Sequence, residues 1–147
     1  MQIITIKSGG YEAKINASRG ANCISLTYPE KGVSVLREPD YSAPLDNPYL
    51  YGMPVLFPQN RISGGKFEFE GRVYDFGINE PNTGCFIHGT LHEKPFEVVE
   101  VGEDYALFRC NCFLLYMSIV LLLLIYPYTP GNQKYPNHIL PAQSPEM

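Results

Sequence analysis

The sequence predicts an all-β sandwich or meander over residues 1–110, followed by a tail of different character over residues 111–147. Three observations carry this. Glycine and proline cut the first part into short pieces, most of which alternate apolar and polar residues as half-buried strands do. No window of 11 or more residues there repeats with a helical period. The chain also holds 11 Tyr and 8 Phe, residues that favour pleated surfaces, and no Trp.

In order along the chain, Gln2 to Lys7 and Tyr11 to Ala17 flank Ser8-Gly9-Gly10 and predict a hairpin. Asn22 to Tyr28 alternates, which would set Ile24, Leu26 and Tyr28 on one face. Val33 to Leu36 is a short apolar run. Lys66 to Glu70 and Arg72 to Phe76 flank Gly71, a second hairpin, and Phe96 to Val101 and Tyr105 to Arg109 flank Gly102-Glu103-Asp104, a third. Turn signals at this spacing predict a sandwich or meander of short strands.

The tail breaks the pattern. Of 26 charged residues, only Lys134 and Glu146 lie beyond residue 110. Phe113 to Ile125 is almost unbroken apolar sequence, too short to cross a bilayer as a helix, and without the alternation of its neighbours. Pro127, Pro130, Pro136, Pro141 and Pro145 then interrupt any regular element. Three accounts remain open: a segment foreign to the fold through a frameshift or truncated gene end, which leads; a marginal membrane anchor; or a buried strand with a loose tail.

Composition narrows the function. A net charge of −4 with scattered Lys and Arg argues against a nucleic-acid partner. Cys23, Cys85, Cys110 and Cys112 lack the paired spacing of a zinc site, and the N-terminus lacks the pattern of a signal peptide. A cytoplasmic location with reduced thiols is expected. His88 and His92 are four apart, a spacing that aligns metal ligands only on a helix; Gly89 and Pro95 argue against one there, so no metal is expected.

The densest pattern runs from Gly52 to Val98. Gly52, Pro54, Leu56, Phe57 and Pro58 lead into Asn60-Arg61-Ile62; Gly65, Phe67, Phe69, Gly71 and Tyr74 follow; Asn79 and then His88-Gly89 close it. In this order and without gaps, the block resembles the aldose 1-epimerase (galactose mutarotase) family. The resemblance implies a galactose-mutarotase-like β-sandwich that binds a hexose, and interconversion of its α and β anomers without metal or organic cofactor. It assigns Arg61 to sugar hydroxyls, a role suited to a guanidinium's fixed fork of donors. It assigns His88 to substrate contact and support of the ring oxygen, and adds Asn60 and Asn79 to the substrate-binding set.

Ring opening needs a base for the anomeric hydroxyl proton and an acid for the ring oxygen. The family's second histidine, its glutamate base and an aspartate that binds hydroxyls have no motif match after Cys110, and His138 lacks the flanking pattern. The 147 residues are therefore expected to be inactive as they stand. The alternatives are a catalytically silent carbohydrate-binding protein and a non-functional fragment. A hexose-6-phosphate epimerase relative would need a basic cluster near Arg61 that the sequence does not supply.

Overall fold

A computed structural model describes residues 1–42, 45, 47–112 and 117–124. It is strand-rich. Strands β1 (Ile3–Ser8), β2 (Tyr11–Asn16), β3 (Asn22–Tyr28) and β4 (Val33–Ser34) form one antiparallel sheet in sequence order. Strands β5 (Arg61–Ser63) and β8 (Cys85–Ile87) pair as one ribbon, and β6 (Lys66–Phe69) and β7 (Arg72–Asp75) as another. Strands β9 (Glu97–Val101), β10 (Tyr105–Cys112) and β11 (Met117–Leu124) form a third sheet in the order β11-β10-β9. All three expected hairpins are present.

The core lies between the first and third sheets. Ile6, Ala13, Ile15 and Cys23 from one side meet Ala106, Phe108 and Cys110 from the other, with Leu91 and Phe96 from the connection. On β10 every second residue from Ala106 to Cys110 is buried, while Arg109 stays outside in an ion pair with Glu97 across the ladder. Backbone bonds clamp the layers: Phe96 N donates to Ala17 O (2.8 Å), Gly20 N to Lys94 O (2.7 Å) and Lys7 N to Glu103 O (2.8 Å).

Two expectations are corrected. Ile24, Leu26 and Tyr28 do not alternate regularly on one face of β3. The β2–β3 register passes from Lys14↔Ser25 to Ile15↔Cys23, so Ile24 is the extra residue of a bulge. The bulge resets the alternation, and Cys23 and Leu26 both reach the core. The apolar run, which by its lack of alternation reads poorly as a strand, contributes β11, which pairs antiparallel with β10 from Tyr105↔Leu124 to Cys112↔Met117. The sheet therefore continues past residue 110, and Leu123 packs against the core. Residues 113–116 and the proline-rich stretch 125–147 lie outside the described residues. Among those described, no helix is long and apolar enough to cross a membrane.

The β6–β7 ribbon is joined to the site-bearing ribbon by stacked rings. Phe67 stacks on Tyr74 (5.1 Å) and Phe76 (5.9 Å), and Phe76 on Phe86 of β8 (5.2 Å). Phe67 and Phe69 are sheet-face residues and exposed, whereas Phe86 is buried.

Candidate functional site

The site is built at one end of the β5–β8 ribbon. Arg61 pairs with Ile87, so the next rung brings Asn60 beside His88, and His88 N donates to Asn60 O at 3.4 Å. Both rung residues are left-handed, with φ of 68° at Asn60 and 61° at His88. Asparagine tolerates this backbone better than most residues; histidine visits it less readily, and neither is as free there as glycine. Each turns the chain sharply out of its strand, and the two candidate groups thereby sit at one end of one ribbon.

The far side of His88 is fixed by close backbone approach. Phe57 and Gly89 form a parallel bridge, and a Cβ on Gly89 would lie 1.8 Å from Phe57 O. Asn79 holds β8 from its other side: its Nδ2 donates to Ile87 O (2.9 Å), and its Oδ1 accepts from Ile87 N (2.7 Å). Its amide is thus engaged with the strand that delivers His88.

Arg61 is about half exposed and meets Glu80 through two parallel bonds, Nε to Oε2 (2.5 Å) and Nη2 to Oε1 (2.7 Å). Thr83 Oγ1 donates to the same Oε2. Glu80 itself is held by paired backbone bonds with Cys85 (3.0 and 3.3 Å). This leaves Nη1 of Arg61 without a hydrogen bond among the described residues.

The Arg61 guanidinium, helped by Thr83 and by the nearby His88, holds the Glu80 carboxyl down at about 2. Because the folded value lies below the ordinary one, the pair's contribution is complete above the usual carboxylate range and is lost progressively as pH falls from that range through about 2. A carboxylate so acidic is too weak a base to take a proton near neutrality. Glu80 holds the Arg61 guanidinium in one orientation.

Against His88 lies Tyr49, placed by a short turn (Pro48–Leu50) in which Tyr49 N donates to Asn47 Oδ1 (3.0 Å). The Tyr49 ring meets His88 at 4.9 Å and His92 at 5.0 Å between centroids. His92 sits in a single 3-10 turn (Leu91–Glu93), not on an α-helix. Burial lowers its pKa, which keeps the imidazole neutral near pH 7. Nδ1 of His88 and Nδ1 of His92 are both buried and find no hydrogen-bond partner among the described residues.

The structure thus brings together Asn60, Arg61, Asn79 and His88. Sequence reasoning missed the grip of Glu80 on Arg61 and the Tyr49–His92 backing. Glu80 lies inside the motif block, next to Asn79, but 19 residues from Arg61, and only the fold shows the contact.

Residues 2–113 match the family described as aldose 1-epimerase. The uncharacterized protein YihR of Escherichia coli (strain K12) is 28% identical over 101 residues, which is 68% of this chain and 31% of YihR. A galactose mutarotase-like protein from Clostridium acetobutylicum superposes with a TM-score of 0.63 at 32% identity, over 89% of this chain and 36% of that one. One from Lactobacillus casei ATCC 334 superposes at 0.60 over 85% and 40%; its 17% identity makes this a likeness of fold. The chain spans 31–40% of the length of these relatives. With a match from residue 2 to residue 113, the chain belongs to the aldose 1-epimerase family.

Proposed function

We propose that this chain binds the pyranose ring of a neutral aldose between Arg61 and His88, as the sugar-binding portion of an aldose 1-epimerase. The observation that supports this is the Asn60–His88 rung, which keeps the Arg61 and His88 positions at one end of one ribbon, with Nη1 of Arg61 unoccupied. A pyranose presents adjacent hydroxyls and a ring oxygen, and those are the groups such donors and acceptors pair with. Arg61 takes vicinal hydroxyls and His88 supports the ring oxygen. Asn60 shapes the rung, and Asn79 acts through Ile87.

Anomer interconversion also needs a base and an acid. Glu80 is too acidic for the first, and His92 is buried behind Tyr49; neither role is assigned to these residues. Residues beyond 113 carry no family motif, and we assign them no part in sugar chemistry. The reading invokes no metal, organic cofactor or nucleic acid, and it places the protein in the cytoplasm.

Two measurements test it. In polarimetry with fresh α-glucose or α-galactose, the purified 147-residue chain is expected to leave the spontaneous rate unchanged; a rate like that of a complete mutarotase overturns the missing acid and base. In calorimetric titration with the same sugars, Arg61→Ala and His88→Ala are each expected to weaken binding by roughly tenfold. Unaltered affinity in both variants removes the site.

A further inference from the structure

We propose that Glu80 is the charge screen of this site: by occupying the Nε–Nη2 edge of Arg61 and setting a fixed negative charge beside its remaining donors, it makes the site accept neutral aldoses and refuse anionic ones, such as uronates and sugar phosphates. The inference rests on reading Arg61 as a sugar contact. A guanidinium presents two parallel donors along its Nε–Nη2 edge, which is the geometry that captures a carboxylate or phosphate. Here that edge is filled from within the chain, at 2.5 and 2.7 Å.

The intramolecular carboxylate is not easily displaced. Thr83 Oγ1 bonds the same oxygen that faces Arg61 Nε, and the backbone of Glu80 is tied to Cys85 by bonds in both directions. An incoming anion therefore competes with a tethered group of high effective concentration, and meets its negative charge as well. What Arg61 still offers is the second N–H of Nη2 and both hydrogens of Nη1; an anion there meets the Glu80 charge, while a hydroxyl oxygen does not, and Nη1 is the wholly free donor. Tying the other nitrogens also holds this donor in one orientation before any sugar arrives, which lowers the ordering cost of binding.

The test uses the full chain, D-glucose and D-glucuronate as probes, and Glu80→Gln, which keeps the shape but removes the charge and one of the two acceptor oxygens. Wild-type protein is expected to bind glucose and to bind glucuronate at least about fivefold more weakly. In Glu80→Gln, glucuronate affinity should rise by about fivefold and glucose affinity should fall, and about 0.5 M salt should erase the glucuronate gain. The Arg61 Nε–H resonance is expected to be sharp and slowly exchanging in wild type and to exchange faster in the variant, while an unmoved Ile87 amide reports that β8 is intact. Equal binding of the two sugars by wild type, or an unchanged ratio in Glu80→Gln, overturns the screen while leaving the sugar site standing. Failure of wild type to bind either sugar overturns the site itself, and the screen with it.

Discussion

Gly89→Ala is expected to destabilise the chain by about 2–4 kcal/mol and to abolish sugar binding. The new Cβ would fall 1.8 Å from the carbonyl oxygen of Phe57 and 2.4 Å from its carbon, both backbone atoms that no rotamer change can move. Residue 89 also has φ of 64°, a left-handed conformation that costs a residue bearing Cβ about 1 kcal/mol. The clash must open the Phe57–Gly89 bridge, and His88 is the residue directly before it. Gly84→Ala is the control. Gly84 has φ of 66° but open space around the missing Cβ, so it should cost only about 1 kcal/mol. Urea denaturation of the three proteins, with sugar titration of each, checks the pair; equal losses at the two positions would show that close approach to Phe57 is not what demands glycine.

Phe108→Ala should be the most damaging change away from the site, at about 3–5 kcal/mol. The ring is fully buried, at 0% exposure, at the centre of β10 between the two sheets. Its loss removes a large apolar group and leaves a cavity that flanking strands on both sides cannot easily close. Against a total stability of about 5–15 kcal/mol, that is a large fraction. Thermal unfolding followed by circular dichroism should show a fall of about 10 °C or more. A shift of only a degree or two would mean that the first and third sheets are not held together through this residue.

The parts of the fold legible in the sequence are those decided locally. The hairpin at Gly9-Gly10 and the turn at Glu70-Gly71 announce themselves because left-handed turn residues sit between alternating segments. Ile24 was not legible: its strand alternates faithfully, and only the pairing with β2 forces the extra residue out. Met117–Leu124 was not legible for the opposite reason. Its uniform apolarity hides the period of two on which strand recognition depends, and its partner β10 supplies the register.

At the site, Arg61 and His88 stood out because each follows or precedes residues that can turn a chain sharply. The grip of Glu80 on Arg61 and the backing of His88 by Tyr49 are contacts between distant segments. A single chain of letters records no distance between them, so residue type and spacing could not reveal either.

The left-handed rung at Asn60 and His88 has a consequence for anyone seeking a hardier version of this protein. Glycine relieves such backbone at no steric cost, so selection for heat tolerance alone would favour it at both positions. Each such replacement deletes a side chain from the mouth of the ribbon, and the second deletes the imidazole. Durability and sugar recognition pull in opposite directions at this rung, and the histidine persists there only where recognition is what is being selected.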